Sequence, residues 1–370
     1  MKPLRIRVVG GSLAGLFTAI LLQNDGHDVV VYERSHSGLA GRGAGLVPQE
    51  DVFHMLRMIG ADHAANVGVM ARERIYFNAD GSVAQTLSMP QMQISWDFLY
   101  SEVLARLEKG RYQTGRAVEA VIDADDGATI LFAGGSSEKA DLVIGADGLG
   151  SVVRATLNDD WRNRYAGYVA WRGLLPENEL PPGASILLDR FAFYIKSGVH
   201  ILGYLVPGPE GETMPGQRRY NWVWYRPISE TGLENTLTDR DGTAYPYSLP
   251  RGTMATSRVE TLHADAAAVL PKPFALAVQA ENKSSIQAIF DYAADRMVGQ
   301  SVALVGDAAF VARPHTAMGV SKAAADAVSL QRNMFRANSL REGLAAYQSE
   351  RMFIDEQTVA YGKRLGSSAF

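Results

Sequence analysis

Three segments of this 370-residue chain carry residue types that can handle a nucleotide cofactor. In VVGGSLAGL, residues 8–16, Gly10, Ser12 and Gly15 occupy the fixed positions of a G-x-G-x-x-G turn. Gly10 permits the tight turn, and Gly15 lets a helix pack against its strand. Ser12 replaces the middle glycine, which alters the backbone's approach to a pyrophosphate. Glu33, with Arg34 beside it, ends the next apolar run, where a carboxylate accepts bonds from ribose hydroxyls. That much suits NAD and FAD equally. In DLVIGADGLGSVVR, residues 141–154, Asp147-Gly148, Ser151 and Arg154 follow a buried run, with Ser151 suited to cap the helix carrying Arg154. In VALVGDAAFVARPHTAMGVSKAAADA, residues 302–327, Gly306 lets backbone pass close to a ligand and Asp307 offers a carboxylate to sugar-alcohol hydroxyls. Pro314 stiffens the loop, and a helix beginning at Gly319 and Val320 aims its N-terminus at the ligand, where it stabilises negative charge. A reduced flavin carries such charge at its N1 and C2 carbonyl edge. Each segment alone also reads as an ordinary strand–turn–helix; together they narrow the choice to FAD.

Strands must end at each of these loops. Ile6–Val9, a helix through Leu16, Ile20 and Leu21, and Val29–Tyr32 form a βαβ-type unit. A helix is predicted over residues 50–59. Residues 74–95 alternate about Asp80-Gly81 as a hairpin. Asp97–Leu107 reads as helix, Val118–Ile122 with Thr129–Phe132 as an antiparallel hairpin, and Leu142–Ile144 as a buried strand. From Tyr165 to about Phe274, short aromatic-rich strands (SILLD, FAFYIKS, HILGYLV, RYNWVWYRP) are separated by Gly/Pro loops, as in an antiparallel sheet. Nucleotide-fold texture returns at residues 286–327, and helices run through about residue 366. The expected fold is α/β. A Rossmann-like domain comprises residues 1–75, 95–165 and 275–335, and an inserted antiparallel-sheet substrate domain comprises 76–94 and 166–274. Residues 336–370 form a C-terminal helical segment.

Composition removes several function classes. With 47% hydrophobic residues the chain can bury one large core or two domains. A net charge of -4 gives no basic footprint for nucleic acid or an anionic membrane. No apolar run reaches transmembrane length, and MKPLRIRVVGG runs straight into a strand, so a cytoplasmic protein is expected. The absence of cysteine excludes disulfides, thiol nucleophiles and thiolate metal sites. The seven histidines form no ligand-spaced cluster, so no metal is expected.

In the order and spacing of its three motifs the chain resembles the FAD-dependent aromatic hydroxylases, single-component flavoprotein monooxygenases of the para-hydroxybenzoate hydroxylase fold. The resemblance covers essentially the whole chain. It is most similar to the hydroxypyridine branch, through VVGGSLAGL, RYAGYVAWRGLL at residues 164–175, and DRMVGQSVALVGDAAFVARPHTAMG from residue 295 with its Arg313-Pro314-His315. The resemblance implies resident FAD and transient docking of NADH or NADPH, in keeping with the lack of a second glycine-rich motif. It also implies O2 as co-substrate and oxygen delivered through a flavin C4a-hydroperoxide. The substrate implied is a small activated aromatic or N-heterocyclic ring such as 2,6-dihydroxypyridine, and a homodimer is compatible with it. Four positions depart from the family pattern. Phe310 stands where most members have histidine, Ala317 where they have glycine, and Ser321 where they have asparagine. Asp97 stands where an arginine often meets the FAD pyrophosphate. Gly319, Asp326 and Ala327 keep the pattern.

The cofactor carries the oxygen chemistry, so the protein must orient the ring, exclude water and favour an ionised ring hydroxyl. The pocket is expected between the flavin edge and the inserted sheet. His200, Leu202 and Tyr204 share one face of their strand by alternation. His200 or Tyr204 could contact a hydroxyl, and a histidine could act as base. Tyr225 is a similar candidate. His315 follows Pro314 in the loop expected to face the isoalloxazine ring. Packing competes with each of these roles, and Trp171, Trp222 and Trp224 read as core. WVWYRP at 222–227 loosely resembles the W-x-W-x-I-P signature of flavin-dependent halogenases, but Arg226 replaces the isoleucine and no matching lysine-bearing loop is present. The alternatives are an FAD reductase or dehydrogenase without oxygen transfer, and a non-catalytic flavin redox sensor.

Overall fold

The computed structural model describes residues 2–39, 41 and 45–367. Its nucleotide half is a five-stranded parallel sheet in the order Val302–Leu304, Leu142–Gly145, Arg5–Val9, Asp28–Tyr32, Tyr112–Gln113. These runs are β-branched and apolar along their length because both faces are covered, and Ile6, Val8, Val31, Val143 and Ile144 are fully buried. Helix Leu13–Asn24 packs on helix Gly319–Arg336, which packs in turn on the C-terminal helix Leu340–Ser367. A three-stranded sheet (Val118–Ala124, Gly127–Phe132, Ser137–Ala140) adds Val121, Ile130 and Phe132 to the same core.

The second half is a nine-stranded sheet. Its main path runs Ser248–Leu249, Ser285–Ala293, Arg164–Pro176, Arg219–Pro227, Val199–Val206, Arg190–Lys196, Glu73–Phe77, Val83–Leu87. Arg190–Lys196 pairs parallel with Glu73–Phe77, and the other strands along this path pair antiparallel. Tyr220, Trp222 and Trp224 alternate onto one face and are buried with Trp171 and Phe274 under helices Thr256–Val269 and Lys272–Gln279. The opposite face presents Tyr168, Ala170, Val223, Tyr225, Ile289, Phe191 and Tyr204. Across this face lies a small sheet of Gly45–Leu46, Gln91–Ser95 and Gly68–Ala71.

Three expectations change. SILLD lies largely in the 3-10 turn Pro182–Leu187 rather than a strand, since Pro181-Pro182 fix the backbone and Ala184 and Leu187 pack beneath helix Lys272–Gln279. Residues 285–293, read with the nucleotide fold, lie inside the large sheet between Ser248–Leu249 and Arg164–Pro176. The 74–95 hairpin keeps its Asp80-Gly81 turn, but 91–95 leaves it for the small sheet. Among the described residues no helix is long and apolar enough to cross a membrane.

Candidate functional site

The glycine turn forms a cradle. Gly10 sits at φ +107°, and a Cβ there would overlap the Ala146 carbonyl, while a Cβ on Gly15 would overlap the Gly10 carbonyl oxygen. Only glycine fits either position. Ser12 begins helix Leu13–Asn24 without a side-chain cap bond. Glu33 is buried, and its carboxylate accepts from the N–H groups of Gly11 (3.0 Å) and Ser35 (2.8 Å). Gly10, Gly11, Ser12 and Glu33, with Arg34, Trp96, Arg116, Asp147 and Gly148, line a cavity of about 350 Å³. The cradle, the carboxylate at the strand end and the helix N-terminus fit the adenosine and pyrophosphate of a dinucleotide.

The expectation for Asp97 is corrected. Trp96 lines the cavity and stacks on Tyr100 at 4.9 Å, whereas Asp97 is buried away from it, accepting from Arg219 Nη1 at 3.1 Å. Ser95 caps this helix, accepting from Phe98 N–H, and its hydroxyl also accepts from Arg219 Nη2 at 3.0 Å. Adjacent residues in a first helical turn point about 100° apart, so a one-residue offset changes the partner completely.

The second and third motifs are tied together by Arg154. Ser151 accepts from Arg154 N–H at 3.1 Å, but the element it serves is the short 3-10 turn Val153–Thr156 rather than a longer helix. The buried guanidinium donates to Gly148 O (2.9 Å), Asp307 O (2.6 Å) and Asn163 Oδ1 (2.7 Å), and lies 4.0 Å over the Tyr292 ring. Asp147 turns its carboxylate onto the local turn, accepting from Ser151 Oγ and the Val152 and Val153 N–H groups. Asp307 forms no side-chain hydrogen bond among the described residues; burial raises it, opposed by Lys322 and Arg154. Gly306 is gripped at both ends. Its N–H donates to Asp326 (2.9 Å), and its carbonyl accepts from the buried Lys322 Nζ (2.7 Å). Arg351 then joins Asp326 (2.8 Å) to Asp355 (2.5 Å). Burial alone would lower Lys322, but Asp326, Asp355 and Asp307 raise it overall, while burial and Asp326 raise Asp355. The i,i+4 spacings Lys322–Asp326 and Arg351–Asp355 are the sequence signal for this network.

The remaining departures have structural partners. Phe310 is fully buried in the core of the nucleotide half. Ser321 donates to Asp51 at 2.6 Å. Ala317 holds a left-handed φ of +53° after the turn Pro314–Thr316, and Met318 precedes the helix begun by Gly319 and Val320.

On the large sheet's opposite face, three of the four rings named as candidates meet. Tyr225 lies 4.1 Å from His315, His200 lies 5.5 Å from His315, and His200 lies 5.2 Å from Tyr225. Tyr168, not singled out from sequence, pairs its hydroxyl with His315 Nε2 at 2.9 Å. Behind it, Arg313 donates to the Tyr168 oxygen (3.4 Å) and to Asp291 (2.9 and 2.7 Å). Burial pushes His200 down to about 4, and burial with His200, Arg313 and Arg172 pushes His315 down to about 3, so both rings are neutral at pH 7. Tyr204 is not part of this group. Four residues along the strand place it about 13 Å from His200, where it packs on Phe191 (4.7 Å) and donates to Gly45 O (3.4 Å). The residues that sequence reasoning missed are Trp96, Arg116, Tyr168, Arg172 and Lys322.

Comparison with known proteins agrees with this geometry. Residues 4–181 match the FAD binding domain family, and residues 165–291 the FAD binding domain-like family. The chain is 31% identical over 351 residues to 2,6-dihydroxypyridine 3-monooxygenase of Paenarthrobacter nicotinovorans, covering 94% of this chain and 87% of that one. The solved 2,6-dihydroxypyridine-3-hydroxylase from Arthrobacter nicotinovorans superposes with a TM-score of 0.92 at 30% identity, covering 100% and 93% of the two chains. At 26% identity it also matches 6-hydroxynicotinate 3-monooxygenase of Bordetella bronchiseptica, over 94% of this chain and 86% of that one. A likeness running through the nucleotide cradle and the sheet alike places this chain in the family of FAD-dependent aromatic monooxygenases.

Proposed function

We propose that this protein hydroxylates a small hydroxylated pyridine, with NADH or NADPH as electron source. The observation that carries the reading is the buried group of His200, His315 and Tyr225, held on the sheet face beside the loop that precedes helix Gly319–Arg336. Bound FAD supplies the reduction of O2 and the oxygen transfer. Gly10, Ser12 and Gly15 would hold its pyrophosphate, and Glu33 and Arg34 its adenosine ribose. Asp307 would meet the ribityl chain, and Pro314, Gly319 and Val320 the ring edge. Asp147 and Arg154 would shape the loops around it, since Asp147 accepts from the Val152 N–H and Arg154 donates to the Asp307 carbonyl.

The protein's own part is binding and proton handling. A neutral imidazole presents a lone pair to a ring hydroxyl, and His200 has both ring nitrogens buried without a partner. Its low proton affinity makes it an acceptor that orients the hydroxyl rather than a group that keeps the proton. His315 is fixed in place by Tyr168, and the Arg313–Asp291 pair fixes Tyr168. The aromatic walls exclude water from the ring. Two relatives that act on hydroxypyridines by name support this substrate class.

The test is direct. The FAD-loaded protein is mixed with NADH or NADPH, with and without 2,6-dihydroxypyridine or 6-hydroxynicotinate. Stimulated oxidation and a product heavier by one oxygen atom are expected for at least one ring. A flavin-bearing protein whose oxidation rate neither ring changes would overturn the substrate assignment.

A further inference from the structure

Strand Arg164–Pro176 alternates Tyr168, Ala170 and Arg172 onto the face that carries His200 and Tyr225. Arg172 stands opposite Val223, and Leu174 opposite Asn221, so Arg172 and Asn221 are diagonal neighbours on that face. Val223 in turn stands opposite Leu202, so Arg172 is level with the point between His200 and Tyr204 on the next strand, and its charge acts on His315, Tyr225 and Tyr204 against the effect of burial on the two tyrosines. Its Nε is buried with no partner, and among the described residues its guanidinium makes no hydrogen bond or ion pair. Asn221 is 1% exposed, and both its amide atoms are likewise without a partner, as are both nitrogens of His200.

A guanidinium cannot shed its proton, and leaving one unpaired among aromatic rings is costly unless something anionic completes it. Asp291, the acid at the end of the His315–Tyr168–Arg313 chain, is already engaged by Arg313. Unfilled donors and acceptors of this kind, converging on one face, describe the missing ligand.

We propose that Arg172 is the anion anchor of the substrate pocket, so that the ring is bound with a negatively charged oxygen at the Arg172 guanidinium. This rests on the reading that the pocket takes a hydroxylated heteroaromatic ring. The shared chemistry is an oxyanion, supplied by an ionised ring hydroxyl or by a ring carboxylate. Where that oxygen is an ionised ring hydroxyl, Arg172 holds the electron-rich form of the ring that oxygen transfer needs, while His200 orients a second substituent.

The experiment measures binding by equilibrium dialysis on the FAD-loaded full chain, independently of turnover. The probes are 2,6-dihydroxypyridine, 6-hydroxynicotinate and the uncharged resorcinol, with wild type, R172M and R172K. R172M is expected to weaken binding of at least one anion by about 30-fold while leaving resorcinol within twofold, with R172K intermediate. A loss confined to 6-hydroxynicotinate identifies a carboxylate as the bound oxyanion, and a loss confined to 2,6-dihydroxypyridine identifies a ring oxyanion. Where R172M weakens 2,6-dihydroxypyridine, wild-type affinity for it should rise with pH through the ring's ionisation while that for resorcinol stays flat. R172M binding both anions like wild type, losing all three probes equally, or a wild type that prefers resorcinol would overturn the anchor. Arg172-dependent binding of an anion that is never oxidised would leave the anchor standing and remove the hydroxypyridine substrate.

Discussion

His200 and His315 face each other at 5.5 Å with little water around either; burial lowers both, and His200 lowers His315 further. An unfolded histidine titrates near 6.5, whereas these titrate at about 4 and about 3. Between those values the unfolded chain binds protons that the native one does not, so stability falls as pH falls below about 6.5. Each ring adds about 1.4 kcal/mol per pH unit to that slope. Urea unfolding at pH 7, 6 and 5 should show H200Q and H315Q each flattening it; an unchanged slope in H200Q would place that ring in solvent. His200, Tyr225 and His315 were legible in the sequence from strand alternation and from the Pro314 loop. Tyr168 and Arg172 were not, since RYAGYVAWRGLL gives no sign of which of its polar side chains crosses 147 residues of chain to meet His315.

The loop from Phe310 to Gly319 is the element that brings the imidazole of His315 to the sheet. It closes through Ala317 at φ +53°, a conformation that costs an L-residue with a Cβ roughly 1 kcal/mol. Its carbonyl also accepts from Gln49 Nε2 at 3.1 Å, which ties the strained residue to the neighbouring helix start. A317G should therefore stabilise the protein by up to about 1 kcal/mol in urea unfolding, and A317V should destabilise it by more than that. Equal midpoints for all three would mean the loop relaxes freely. At this scale the strand–turn–helix units around Gly10, Asp147 and Gly306 were readable, because apolar β-branched runs ended by glycine leave few alternatives. Helix Thr256–Val269 was not, because only Leu262 and Ala266 are buried in it and its apolar period is correspondingly faint. Strand Ser285–Ala293 had a readable pattern but no local cue to the sheet it joins.

The two halves of the molecule meet at a buried ion pair. Helix Trp96–Leu104 packs Leu99, Tyr100 and Val103 into the nucleotide core, while Arg219 opens a strand of the large sheet. Arg219 reaches Asp97 and Ser95 across that junction and donates to the Pro207 carbonyl at 3.1 Å, with both charged side chains largely withdrawn from water. The carboxylate at position 97 thus serves the register between helix and sheet, and the cavity wall is left to Trp96. Placing at position 97 the arginine that the family resemblance leads one to expect, as D97R, sets two cations against each other. It should cost about 3–5 kcal/mol, as breaking a buried pair does. FAD affinity, read by flavin fluorescence, should not improve, because position 97 does not line the cavity. The exchanged pair D97R with R219D should recover part of the lost stability, since opposite charges again meet across the junction. A D97R protein that keeps its thermal midpoint and binds FAD more tightly would instead put residue 97 at the pyrophosphate.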